Sequence, residues 1–186
     1  MRIFISGGCK QGKSSLGQQL ALTHRAWPRY YVATMQPGDE EDEARIIRHR
    51  EERRDWEFIT LEQPRHIGEL VNLCDPAGVV HLDSLTALLA NEMFLASGEV
   101  REDAGEQVQR ELTQLLHNFA NIVIISDYIY SDTRLFPFLT ENYRRSLAEL
   151  DRLAARHCQV VLEVTAGYAY PHKGGELYRS FRSKME

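Results

Sequence analysis

Apolar positions follow two spacings along this chain, and the two alternate. Unbroken apolar runs predict strands over Ile3–Ser6, Tyr30–Thr34, Trp56–Leu61, Gly78–Asp83, Asn121–Ser126 and Gln159–Thr165. Apolar residues three and four apart predict helices from Lys13 to about His24, about Glu40 to Arg53, Arg65 to Leu73, Leu85 to Leu95, Gln107 to Phe119 and Thr140 to His157. Asp39 is placed to cap the second helix, whose acidic start and basic end suit the helix dipole. Leu85 to Leu95 is apolar all round, the mark of a covered helix. Asn121–Ser126 is the most apolar strand and is expected at the centre of the sheet. Gly98–Gly105 reads as a polar loop and Asp127–Pro137 as irregular. The tail from Gly167, rich in Tyr, Gly and Lys, reads as a loosely held extension over about 168–186. Alternation of this kind predicts an α/β fold, a mainly parallel sheet with helices on both faces, with ligands at the carboxyl ends of the strands.

Composition adds limits. The 186 residues fit one domain with room for a substantial core, and 43% hydrophobic with 26% charged residues is ordinary globular usage. A net charge of −5 argues against general nucleic-acid binding and leaves any attraction for phosphate local. Cys9, Cys74 and Cys158 show neither zinc spacing nor a disulfide framework, which suits a reducing cytoplasm. The first strand starts too early for a signal peptide, and no apolar run reaches membrane-spanning length.

The first strand runs into Gly7-Gly8-Cys9-Lys10-Gln11-Gly12-Lys13-Ser14, followed by Ser15. This is the G-x-x-x-x-G-K-S phosphate-binding loop in its required context, strand before and helix after. Gly7 and Gly12 free the backbone so that successive amides turn inward on a β-phosphate. Lys13 is expected on the β- and γ-phosphate oxygens, the Ser14 hydroxyl on Mg²⁺, and the positive end of the helix adds to both. A chance glycine-rich turn is the bland alternative, and the flanking elements weigh against it.

Asp83 ends an apolar strand, where a phosphate-loop protein places an acid for the Mg²⁺ shell; capping the next helix is the competing reading. Arg45, His49 and Arg53 fall on one helical face, with Arg48 and Glu52 beside them. Arginine forks suit phosphate oxygens, and their charge keeps the imidazole neutral and able to attack phosphorus. A solvated face laced with salt bridges is the commoner meaning of such a charge pattern.

Larger stretches carry a resemblance. They are the phosphate loop; Tyr31-Val32-Ala33-Thr34; Asp42-Glu43-Ala44-Arg45-Ile46-Ile47-Arg48-His49-Arg50; Trp56 with Thr60-Leu61-Glu62-Gln63-Pro64; and Leu82-Asp83-Ser84-Leu85-Thr86 with Asn91. In order and spacing, over residues 1 to about 95, the chain resembles the bifunctional adenosylcobinamide kinase / adenosylcobinamide-phosphate guanylyltransferase family of the cobalamin pathway. The resemblance implies a RecA-like phosphate-loop fold in a homo-oligomer, often a trimer. It implies phosphorylation of adenosylcobinamide with ATP or GTP, then transfer of GMP from GTP onto that phosphate through a GMP–histidine intermediate. His49 matches the histidine, which with Lys13 makes the catalytic pair. Ala33, Thr34, Met35, Arg50, Glu51, Glu52, Arg53, Glu62 and Asp83 match positions near the guanine nucleotide, and Ser14 and Asp83 remain the metal positions.

The second half departs from the family pattern. Where the family carries Asn-Glu-Val-Gly-x-Gly-Ile-Val-Pro, this chain has Ser126-Asp127-Tyr128-Ile129-Tyr130-Ser131-Asp132, with Pro137 later. Asp127 can stand in for the missing acid and is a weak candidate for the base in phosphoryl transfer. Two alternatives are carried forward: a small-molecule kinase with no covalent step, and a GTP-binding regulatory relative that has lost corrinoid activity.

Overall fold

The computed structural model describes residues 1–36 and 56–184. The expected helix over Glu40–Arg53, with His49, Arg50, Glu51, Glu52 and Arg53, lies outside the described residues. In chain order the elements are β1 (Arg2–Gly7), α1 (Lys13–Leu22), β2 (Arg29–Ala33), β3 (Ile59–Glu62), a 3₁₀ turn (Ile67–Glu69) leading into α2 (Leu70–Leu73), β4 (Val79–Asp83), α3 (Leu85–Met93), α4 (Ala104–Asn118), β5 (Ile122–Ile125), α5 (Phe138–His157), β6 (Val160–Thr165), β7 (Tyr168–Lys173) and α6 (Gly175–Arg182).

Seven strands form one sheet in the order β3-β2-β4-β5-β1-β6-β7. All neighbours are parallel except the last pair, where β7 runs back along β6. β5 is central, as its unbroken apolar run predicts for a strand covered on both faces. It lies between β1, which leads into the phosphate loop, and β4, which ends in Asp83. This is a mainly parallel α/β arrangement, as the alternation of strands and helices predicts.

Alternation along the strands divides the core in two. Phe4, Val80, Leu82, Ile122 and Ile124 pack with Leu85, Leu88, Val108, Leu112 and Leu147 from α3, α4 and α5. Ile3, Ile5, Val123, Ile125 and Leu162 face the other way, toward Leu20 and Ala21 of α1 and Tyr178 of α6. Each such side chain contributes about 1.5–3 kcal/mol on burial. Among the described residues, the helices therefore cover both faces of the sheet and not its carboxyl edge.

The tail is the main departure from the sequence reading. Beyond Gly167 it forms β7 and α6, and Tyr178 is buried. Ala166 and Gly167 have φ of 51° and 80°, which suits a two-residue hairpin between Thr165 and Tyr168. The strand expected over Trp56–Leu61 is shorter and starts at Ile59.

Candidate functional site

Strand register assembles the site. Ile5 pairs with Ile125, Ile125 with Asp83, Asp83 with Ala33, and Ala33 with Glu62. One edge therefore carries, side by side, the phosphate loop, Ser126–Asp127, Asp83, Ala33–Thr34 and Glu62. A crevice beyond the carboxyl ends of parallel strands is where α/β proteins hold their ligands.

The loop follows from its glycines. A Cβ on Gly7 would stand 2.2 Å from the Val164 carbonyl oxygen of β6, so only glycine allows β1 and β6 to approach there. Gly12 has φ 91° and opens α1. That helix has no side-chain cap and no acid in its first turn. Its leading amides thus present uncancelled positive charge at the crevice, a ready anion site. Gln11 ties the loop to the tail: its Oε1 accepts the Ala166 amide hydrogen of the β6–β7 turn. Gly8, Cys9, Lys10 and Ser15 are exposed around it.

Lys13 is buried, 6% exposed, and donates to the Gly8 carbonyl at 2.6 Å and to Asp127 Oδ1 at 2.7 Å. Asp127 is itself fixed. Its amide donates to Thr86 Oγ1 at 2.8 Å, and the amides on either side bind β1, Ser126 to the Ile5 carbonyl at 3.0 Å and Tyr128 to the Gly7 carbonyl at 2.9 Å.

Asp83 is not the cap of α3. Ser84 is, its Oγ accepting from the Ala87 amide at 3.3 Å. Asp83 Oδ2 instead accepts from the Tyr31 hydroxyl at 2.7 Å. Thr34 is buried and used internally. Its Oγ1 accepts from the Ser84 amide at 2.7 Å and donates to the Ser84 carbonyl at 2.8 Å, while Asn91 bridges the Thr34 and Pro64 carbonyls. Thr34 thus holds the end of β4 in place, and Met35 beside it is half-buried.

The donor set fits Mg²⁺. The Ser14 hydroxyl at the first turn of α1 is half-buried and makes no protein hydrogen bond among the described residues, and Asp83 keeps its second oxygen outside the tyrosine contact. Hard oxygen ligands, few in number and completed by phosphate and water, are what Mg²⁺ takes.

Behind the edge lies a polar cluster that the sequence reading missed. Asp151 of α5, 3% exposed, accepts from the Tyr130 hydroxyl at 2.9 Å. Burial pushes its carboxyl up to about 6; Ser126 and Tyr130 pull it back, and the charge of Asp127 adds to the rise. Tyr143 donates to the Thr86 carbonyl at 2.9 Å, and burial, with the acids Asp127 and Asp151, pushes its phenol up to about 12. Arg144 holds the loop after Asp127, donating to the Tyr130 and Asp132 carbonyls at 3.2 and 2.8 Å. One signal was available: Asp151 sits among Leu147, Leu150 and Ala154 on the buried stripe of α5, where an acid is out of place.

Comparison with known proteins gives the following. The profile of the family described as cobinamide kinase / cobinamide phosphate guanyltransferase matches residues 3–171, so the match runs through the divergent second half. The bifunctional adenosylcobalamin biosynthesis protein CobP of Pseudomonas aeruginosa is 30% identical over 178 residues, covering 95% of this chain and 100% of that one. The corresponding protein CobU of Escherichia coli is 34% identical over 104 residues, 55% of this chain and 56% of its own. Among solved structures, the flagellar accessory protein FlaH of Methanocaldococcus jannaschii aligns at 18% identity and TM-score 0.46, over 92% of this chain and 77% of that one. No helix among the described residues is long and apolar enough to cross a membrane.

Proposed function

We propose, from the premise that this chain belongs to the cobinamide kinase / cobinamide phosphate guanyltransferase family, that it carries out both reactions of that description. It phosphorylates adenosylcobinamide with ATP or GTP, then moves GMP from GTP onto the new phosphate through His49. The observation that carries this reading is the convergence of Lys13, the uncapped start of α1 and Asp83 on one open edge of the sheet.

In guanylyl transfer a ring nitrogen of His49 attacks the α-phosphorus. The N–P bond forms, the bridge from α- to β-phosphorus breaks, and pyrophosphate leaves with the electron pair. Lys13 and the leading amides of α1 meet the charge that develops on the leaving group. The acceptor phosphate then attacks the same phosphorus and the N–P bond breaks. Ala33, Thr34, Met35, Arg50, Glu51, Glu52, Arg53 and Glu62 are assigned to holding the nucleotide, with Gly7 to Ser15 around its phosphates. Ser14 and Asp83 would hold Mg²⁺, which supplies charge neutralisation on the phosphates. We assign the protein to the cytoplasm as a homo-oligomer, trimeric by resemblance.

The test is incubation of the pure protein with α-labelled GTP and Mg²⁺, read by denaturing gel and intact mass. A GMP adduct is expected in the wild type and absent in His49→Ala. An adduct that persists in His49→Ala removes His49 from the role. GTP binding with no adduct in the wild type leaves a kinase without a covalent step, or a regulatory GTP-binding protein.

A further inference from the structure

Two carboxylates stand at the crevice, and they are held differently. Asp83 is oriented by a neutral hydroxyl on a neighbouring strand, Tyr31 of β2. Asp127 is instead the ion-pair partner of Lys13, the residue a nucleotide needs. The backbone of Asp127 is pinned on both sides, to Thr86 and, through its neighbours, to Ile5 and Gly7. Only its side-chain torsions can move, so the carboxylate stays at the phosphate end of the crevice whatever Lys13 does. It is 27% exposed, open to an acceptor from the solvent side.

Lys13 gives two of its three N–H donors to the Gly8 carbonyl and Asp127, so a nucleoside triphosphate that takes more than one of them displaces the acid. The triphosphate carries more charge and also gains the helix amides, so it wins the exchange. The displaced carboxylate then stands at the phosphate end of the crevice without its lysine partner.

We propose that Asp127 serves two partners in succession: it neutralises Lys13 while the phosphate loop is empty, and once nucleotide phosphate takes the lysine, the freed carboxylate accepts the proton of the attacking acceptor hydroxyl. The second step rests on the kinase reaction proposed above. In it the acceptor oxygen bonds to the γ-phosphorus and the bridge to the β-phosphorus breaks. The nucleoside diphosphate leaves with the electron pair, and the hydroxyl proton moves to an Asp127 carboxylate oxygen. A late, partial demand on the base is what a loose phosphoryl transition state makes, and a positioned carboxylate meets it.

The experiment uses the full chain, with Asp127→Asn and Asp127→Glu. Calorimetric titration with inorganic triphosphate and Mg²⁺ reads the first role. Asp127→Asn is expected to bind about three- to tenfold more tightly, the scale of a partly exposed ion pair removed. Parallel assays with γ- and α-labelled GTP read the second. The ratio of phosphoryl transfer onto adenosylcobinamide to GMP adduct on the protein should fall about 100-fold in Asp127→Asn, the scale of general base catalysis, and recover in part in Asp127→Glu. A merely structural role lowers both activities together and leaves the ratio unchanged. An unchanged or weaker triphosphate affinity in Asp127→Asn overturns the first role, and an unchanged ratio overturns the second. Wild-type protein that binds triphosphate but never phosphorylates the corrinoid overturns the kinase reading and the second role with it; the affinity comparison still decides the first. If the carboxamide variant does not fold, Asp127→Ser carries the same comparison.

Discussion

At the scale of single residues the site is a matter of which polar atom each carboxylate faces. Tyr31 gives its hydroxyl to Asp83 Oδ2, so Tyr31→Phe should weaken Mg²⁺-dependent GTP binding about tenfold, as expected for a lost hydrogen bond to a charged group. Titration calorimetry with and without Mg²⁺ checks it, and the Mg²⁺-free affinity should hardly change. Asp151 makes a prediction about pH. Its carboxyl is raised from 3.8 to about 6, so the folded state holds the proton more tightly than the unfolded chain does. Its contribution is most favourable below pH 4, falls as pH rises to 6, and stays lower above that, a change on the order of 3 kcal/mol. Urea unfolding between pH 4 and 7 should give Asp151→Asn a stability that rises relative to wild type across that window. His24 acts in the opposite sense. Burial, followed by the N-terminal ammonium, Lys184 and Arg29, lowers its pKa from 6.5 to about 4, so its share of stability is lost as pH falls from 6.5 to 4. Little of this was legible beforehand. The roles of Lys13, Ser14 and the glycines can be read from their spacing because backbone geometry dictates it locally. The contacts of Asp83, Asp127 and Asp151 come from chain segments 52, 114 and 21 residues away, and no local spacing encodes those.

Elements were more legible, because burial imposes its period directly on the sequence. β5 and β4 read correctly as buried strands, α4 as an amphipathic helix and α5 as the longest helix. α3 carries a correction. Its apolar run hides Glu92, fully buried, whose carboxylate lies 3.6 Å from Arg101 Nη1 and 3.7 Å from Arg65 Nε and accepts from the His66 amide at 2.6 Å. The glutamate binds the turn after β3 to the far end of α3. Glu92→Ala should cost about 3 kcal/mol, since it removes the buried carboxylate that Arg65 and Arg101 face and the acceptor of the His66 amide; equilibrium unfolding measures it. β7 escaped notice for a physical reason. It is an edge strand with Tyr168, Tyr170 and His172 exposed, and Pro171 interrupts it, so neither alternation nor apolar density marks it. On the opposite face of the sheet α1 sits unusually close. A Cβ on Gly17 would come within 2.6 Å of the buried His81 ring and 2.8 Å of Ile125. Gly17→Ala should therefore destabilise the protein by about 1–3 kcal/mol and lift the start of α1 from the crevice, seen as lower stability together with weaker triphosphate binding.

For the molecule as a whole, fold class and the phosphate edge could be read from the alternation of strands and helices, whereas the order of strands could not. Nothing local in the sequence says that β5 lies between β1 and β4, or that the tail returns to the loop through Ala166 and Gln11. Removing residues 168–186 should leave β6 as an exposed edge and release that contact, costing both stability and triphosphate affinity; a truncated chain that binds as well as the full one would show the tail to be dispensable. The strand order also bears on how the protein is made. The strand that carries the phosphate loop has no neighbour near it along the chain: Ile3 pairs with Val123 on one side and Val160 on the other. A nascent chain that has emerged only as far as α4 therefore carries the complete binding motif on a strand, β1, that has no partner yet. Nucleotide cannot act as a scaffold for the earlier strands, and capture of the ligand must wait until β5 and β6 have been made.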